Sequence, residues 1–215
     1  MEKVNYDKKM MDIINSFGEQ RPSLLLHTCC APCSTAVIER LSKYFDITVF
    51  YYNPNIEPYE EYLKRKEEQK RLLKEYKSVR PIKFLDCDYE NEEFAKIASG
   101  LENVSEGGKR CMLCFHLRLK KTAHTASVNN FDYFGTSLTV SPYKNAYAIN
   151  NIGLALEKKQ GVKYLVSDFK KQDGYKRSII LAKEYNLYRQ DYCGCKYSKI
   201  EREEYKKNLL NKKDI

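Results

Sequence analysis

Seven of the eight cysteines fall into three tight groups, Cys29-Cys30-Ala31-Pro32-Cys33, Cys111-x-x-Cys114 and Cys193-Gly194-Cys195, while Cys87 stands apart. Thiolates are soft ligands and nucleophiles, so clustered cysteines in a chain long enough to bury a core without staples point to metal binding or thiol redox chemistry. Four thiolates from two loops can complete a tetrahedral zinc site or hold a cubane [4Fe-4S] cluster. The adjacent pair Cys29-Cys30 suits a zinc knuckle poorly because neighbouring side chains diverge, whereas a cubane offers separate corners. Spacing therefore favours iron-sulfur, with zinc still chemically permissible. Cys193-Gly194-Cys195 is of another kind. Two cysteines around one glycine can close a small, strained disulfide of raised potential, suited to reversible electron transfer; a further metal knuckle is the other reading.

The elements that must gather these groups follow from hydrophobic periodicity. An apolar run at 23–27 ends at the first cysteine group. Pro32 in the following first turn opens a helix carrying Val37, Ile38, Leu41 and Phe45. Further strands are expected at 47–52, 83–87, 133–140 and 162–166. Helices are expected at about 57–77, 91–99, from Cys111 through Ala123, 146–159 and 178–185, and a mixed-charge helix closes the chain at 197–210. The segment 186–195 reads as extended. Alternating strands and helices imply an α/β fold, a mostly parallel sheet with helices on both faces plus a C-terminal helix. In such a sheet the loops leaving the strands and the helix N-termini behind them share the carboxyl edge, where ligands bind at the switch in strand order. Seven thiols can then converge there. The whole chain, 1–215, is read as a single α/β domain with an N-terminal helical extension at 1–22 and a basic C-terminal helix at 196–215.

Lysine and arginine number 38 against 29 acidic residues, a net charge of +9, with 18 tyrosines and no tryptophan. That balance suits a polyanionic partner, although solvated lysine-rich helix faces account for much of it. The N-terminus lacks the apolar stretch of a secretory signal and no run reaches the roughly 20 apolar residues of a membrane helix, so a cytoplasmic protein without a membrane partner is expected. His27, His116 and His124 read as structural and Cys87 as a small buried hydrophobe. Tyr52, Tyr143 and Tyr192 are candidates to stack an exposed base. Lys206, Lys207, Lys212 and Lys213 are candidates for phosphate contacts, and Arg177 and Ser178 lie at an expected helix start that suits phosphate.

Three motifs resemble, in order and spacing, those of the cobalamin-independent epoxyqueuosine reductases, the QueH family. They are Leu25-Leu26-His27-Thr28-Cys29-Cys30-Ala31-Pro32-Cys33, Arg110-Cys111-x-x-Cys114-Phe115-x-x-Arg118-Leu119 and Tyr188-Arg189-Gln190-x-Tyr192-Cys193-Gly194-Cys195. The resemblance covers most of the chain. It implies a Rossmann-like, HUP-type fold and deoxygenation of epoxyqueuosine in tRNA to queuosine, with two electrons from an unidentified donor. It further implies that Cys29, Cys30, Cys111 and Cys114 ligate a [4Fe-4S] cluster, that Cys193 and Cys195 form the catalytic redox-active dithiol, and that Cys33 meets an additional mononuclear iron. The corresponding family position can be a carboxylate.

Two other classes compete. Cys30-Ala31-Pro32-Cys33 after a strand resembles the C-x-P-C motif of thioredoxin-like oxidoreductases, which would leave the other cysteine groups without a role. An iron-sulfur tRNA-thiolation enzyme on a related fold would need a phosphate-binding loop after the first strand, where this chain offers sulfur instead of glycine.

Overall fold

In the computed structural model, which describes residues 4–211, five parallel strands form one sheet in the order β3-β2-β1-β4-β5. The strands are β1 (Ser23–His27), β2 (Asp46–Phe50), β3 (Lys83–Leu85), β4 (Tyr133–Thr136) and β5 (Lys163–Tyr164). The helices are α1 (Tyr6–Asn15), α2 (Ala31–Leu41), α3 (Tyr59–Glu75), α4 (Asn91–Ala98), α5 (Lys109–Val128), α6 (Ala146–Gln160), α7 (Gly174–Glu184) and α8 (Lys196–Asn211). No helix among the described residues is long and apolar enough to cross a membrane.

β1 is central and buried on both faces, which explains its near-continuous apolar run. Leu25 points to the core beneath α5 and α6, with Phe134, Leu119 and Ile149. Leu24 and Leu26 point the other way, to Val37, Ile38 and Leu41 of α2 and to Met10 and Ile14 of α1. Alternation along one strand thus covers the sheet on both sides. Register is stapled at the strand starts: the Ser23 backbone N–H and hydroxyl both donate to the Asp132 carboxylate at 2.7 Å, and the Asp132 N–H returns a bond to the Ser23 hydroxyl at 3.0 Å.

β1 pairs with β2 on one side and β4 on the other, so the strand order reverses between β1 and β4. Chains leave those two strands in opposite directions and open a crevice at their carboxyl ends. Cys29 and Cys30 follow β1 into that crevice, and 141–145 approaches it from β4. The expected strand at 133–140 stops at Thr136. There the Thr136 hydroxyl accepts the Leu138 N–H and turns the chain into a single 3-10 turn, Ser137–Val140, which keeps the backbone in the core after it leaves the sheet. The third and fifth strands are also shorter than their apolar runs, because edge strands need only a few ladder bonds. The segment 186–195 is irregular, and side chains of α3 hold it in place of a ladder. Lys212 and Lys213 lie outside the described residues.

Candidate metal centre

Three helix N-termini carry the cysteines. Cys30 is the N-cap of α2 and Cys33 sits in its first turn; Cys111 sits in the first turn of α5; Cys195 caps α8, its sulfur accepting the Ser198 N–H at 3.4 Å. Aligned peptide dipoles place partial positive charge at each of these ends, which favours thiolate and anionic clusters. All eight cysteines are free, and Cys29, Cys30, Cys114 and Cys195 are buried.

The sulfurs of Cys29, Cys30 and Cys33 lie within 4.8 Å of one another, the Cys29 and Cys30 Sγ atoms being 3.8 Å apart. Cys30 is the member held well below the ordinary thiol range, because the thiols of Cys29 and Cys33 direct hydrogen bonds at it, with support from the Arg65 guanidinium and the Gln190 amide. Those same contacts push Cys33 well up and Cys29 up. One thiolate bracketed by two donors is a preformed ligand set that sheds protons as metal binds.

Cys111 and Cys114 reach the same edge but stay outside that triad. Burial raises both, Cys114 to about 12, and the neighbouring thiol charges that add to this include those of Cys193 and Cys195. The sulfurs thus fall into a tight triad and four others outside it, of which Cys114 and Cys195 pack in one cluster; the buried Arg118 is influenced by Cys114, Cys193, Cys29 and Cys111. A sulfur-only ligand set of this kind suits a metal ion or an iron-sulfur group. The buried atoms around it agree: Thr28 Oγ1, Asn53 Oδ1, Arg65 Nη2 and Arg118 Nη2 have no hydrogen-bond partner within the chain. Unpaired buried polar atoms of this kind mark a place where something else bonds.

A cleft of about 670 Å³ opens on this edge, a volume that suits one small ligand or nucleoside. Of the cysteines, only Cys29, Cys33 and Cys193 line it. Cys195 is buried behind Cys193. Lys144, half-buried in the loop after β4, also lines the cleft and has no carboxylate partner among the described residues; despite burial its ammonium is stabilised, by the charges of Cys193, Cys29 and Cys33. The rim carries Tyr143, 78% exposed, and two stacked pairs, Arg189 over Tyr175 at 5.7 Å and Arg202 over Tyr205 at 5.3 Å. A smaller cleft of about 430 Å³ between α2 and α7 has none of the cysteines, and its Arg40 and Arg177 are paired to Asp7 and Glu39.

The dithiol segment is held by a stripe on α3. The Arg65 side chain, 1% exposed, pairs with Glu61 at 2.7 Å and donates to the Cys193 carbonyl at 3.0 Å. Arg71 donates to the carbonyls of Tyr185 and Asn186, Glu68 accepts the Tyr188 N–H, Glu61 accepts the Tyr188 hydroxyl, and the Glu57 N–H donates to the Gly194 carbonyl. This is why 186–195 needs no sheet neighbours. Arg65 had no visible role in the sequence, where Glu61-x-x-x-Arg65 reads as a solvated helix pair. Lys144 had a signal that passed unused, its place in a turn after a strand.

His27 is structural. Its Nε2–H donates to the Tyr52 carbonyl at 3.1 Å, so Nδ1 accepts the Thr136 hydroxyl at 3.0 Å, and burial pulls its pKa down to about 3. Two of the expected roles change. Tyr52 is buried with its hydroxyl on Glu90 at 2.8 Å, which takes it out of the candidate stacking tyrosines; Tyr192, half-buried with the Arg65 guanidinium over its ring, and the exposed Tyr143 both line the cleft. Arg177 is occupied by Glu39. Cys87 is half-buried just past β3, packed against the core.

The profile of the family described as Epoxyqueuosine reductase QueH matches residues 24–201. Among curated relatives, the epoxyqueuosine reductase QueH of Streptococcus pyogenes is 44% identical over 201 residues, covering 92% of this chain and 79% of that protein. The Staphylococcus epidermidis protein of the same name is 44% identical over 203 residues (92% and 85%), and that of Thermotoga maritima 35% over 194 (89% and 97%). A solved structure, the U34-tRNA thiolase NcsA from Methanococcus maripaludis with its [4Fe-4S] cluster, superposes with a TM-score of 0.50 at 14% identity, covering 89% of this chain and 67% of that one. That likeness is one of fold.

Proposed function

The chain belongs to the epoxyqueuosine reductase QueH family, and from that membership we propose that its thiol-floored cleft removes the epoxide oxygen of epoxyqueuosine in tRNA. The observation that carries the reading is the cleft itself, in which two sulfurs of the triad and one cysteine of the C-terminal pair face the same space. Cys29, Cys30, Cys111 and Cys114 are read as ligands of a [4Fe-4S] cluster, and Cys33, at the cleft face of the triad, as the ligand of an additional iron. When bound, such a centre supplies one-electron transfer and a Lewis-acidic iron.

The protein's own residues account for the rest. Cys193, open to the cleft, is read as the thiol beside substrate and Cys195 as its buried partner. Their two thiols supply two electrons and two protons as they close to a disulfide; both C–O bonds of the epoxide break, a C=C bond forms, and the oxygen leaves as water. A two-electron donor from outside the chain must then reopen the disulfide. Lys144 places a positive charge where the oxygen acquires negative charge. The cleft seats the modified base, while the Arg–Tyr pairs and Tyr143 on the rim suit flanking nucleotides by stacking and phosphate pairing, with affinity that falls as salt rises. Eight free cysteines suit a reducing compartment such as the cytoplasm, and one α/β unit suffices for the reaction.

A thioredoxin-like reaction would leave Cys111 and Cys114 idle, and a thiolase reading has only the shared fold behind it. Protein purified without air, assayed for iron and sulfide, and supplied with epoxyqueuosine-bearing tRNA should give queuosine. Reduction that persists after iron removal would sink the metal reading. Full multiple turnover by Cys195→Ser would sink the dithiol reading.

A further inference from the structure

Arg118 is charge-anomalous. It lies one turn after Cys114 and two after Cys111 on α5, and is 1% exposed. Its side chain's only hydrogen bond among the described residues runs from Nε to the Cys114 carbonyl, at 3.4 Å, within its own helix; Nη2 has no partner. The other fully buried arginines are paired, Arg65 with Glu61 at 2.7 Å and Arg110 with Glu201 at 3.2 Å. No carboxylate pairs with Arg118 among the described residues, and the Phe115 ring, 5.7 Å away, cannot balance a full charge. A guanidinium does not shed its proton in a protein, and an uncompensated buried cation is costly, so the fold must supply an anion. The titratable groups beside Arg118 are sulfurs, of Cys114 and Cys111 on α5, Cys29 after β1 and Cys193 before α8, which become anionic once they ligate a metal.

We propose that Arg118 is the fixed counter-cation of the sulfur centre, set between the cluster-ligand cysteines and Cys193, and that its charge sets how readily that centre accepts an electron. This rests on the cluster reading above and goes beyond it, since it assigns a tuning role to a residue that touches no substrate. A positive charge held in a low-dielectric interior favours the more negative, reduced state, so it raises the midpoint potential; a neutral side chain there lowers it. The Cys193/Cys195 couple gains two protons with its two electrons and changes no net charge, so its potential is not moved by this effect.

The test uses anaerobically purified wild type, Arg118→Gln and Arg118→Lys, with iron and sulfide content, a redox titration of the cluster followed by electron paramagnetic resonance, and the thiol–disulfide potential of Cys193/Cys195. At iron content equal to wild type, Arg118→Gln is expected to shift the cluster midpoint downward while the Cys193/Cys195 potential stays in place, and Arg118→Lys, which keeps the charge but not the planar fork, to recover most of that shift. If Arg118→Gln fails to load iron, a loaded Arg118→Lys protein with a near-wild-type midpoint supports the charge role, and an equally empty Lys variant overturns it. A fully loaded Gln variant with an unchanged midpoint overturns the inference alone. Wild type free of iron and sulfide overturns the cluster reading and this inference with it.

Discussion

Gly194 separates the two cysteines of the C-terminal pair at φ +142°, and a Cβ built there would lie 3.0 Å from Ile56 Cγ1 and 3.2 Å from Arg65 Nη1. Gly194→Ala therefore adds both an unfavourable backbone conformation and two tight contacts. Sparsely populated conformations of this kind cost about 1–3 kcal/mol for a residue with a side chain, and a value near 2 kcal/mol corresponds to about a thirtyfold change in an equilibrium. The chain can keep its position and lose that much stability. Alternatively it can relax by giving up the Glu57 N–H bond to the Gly194 carbonyl (3.0 Å) and the Arg65 bond to the Cys193 carbonyl (3.0 Å), which moves the sulfurs instead. Two measurements separate these responses: the denaturant midpoint of protein prepared without air, and the rate at which Cys193 and Cys195 close to a disulfide in a defined thiol buffer. One of the two must change. An Ala variant with a wild-type midpoint and wild-type closure would refute the account of how α3 and Gly194 position the pair.

Other expectations are as direct. Tyr143→Ala should raise KM for the tRNA substrate about tenfold with iron content unchanged, since one base stack is worth about 1–3 kcal/mol; steady-state kinetics beside an iron assay check it. His27→Phe leaves the buried Tyr52 carbonyl without a donor and the Thr136 hydroxyl proton without an acceptor, and should cost about 1–3 kcal/mol in urea unfolding. The Ser23 N–H and hydroxyl hold the Asp132 carboxyl below the usual range, so its contribution is present above the unfolded value of about 4 and is lost as pH falls through the depressed folded one. Asp132 is exposed, so the effect should stay below about 1 kcal/mol, and Asp132→Asn should flatten the stability profile in that window when thermal unfolding is followed against pH.

The sheet was legible because β1 is buried on both faces and reads as unbroken Leu24-Leu25-Leu26, and because α2 and α6 carry local punctuation, Pro32 at one start and the Asn145 cap and Gly161 at the ends of the other. The convergence of three cysteine groups on one edge followed from topology alone. What could not be read was the burial of charge. Glu61 and Arg65 look like any helical ion pair, yet Arg65 points into a stripe with Tyr62, Gln69 and Leu72, and its role depends on a segment more than a hundred residues away. The extent of β4 failed for a related reason: the apolar run through Val140 reports burial, and burial continues after Thr136 turns the backbone out of the ladder. The split of the sulfurs into a triad and four others is likewise tertiary, because no spacing tells how far apart two loops stand.

Cys29, Cys33 and Cys193 meet solvent through one mouth, and an opening wide enough for a nucleobase is far wider than a molecule of dioxygen. The resting protein therefore leaves these three sulfurs within reach of dioxygen in the interval between products leaving and substrates arriving. On the proposed function, bound tRNA would be a stopper as well as a reactant, and the lifetime of the protein in air would be tied to how much of its RNA is present.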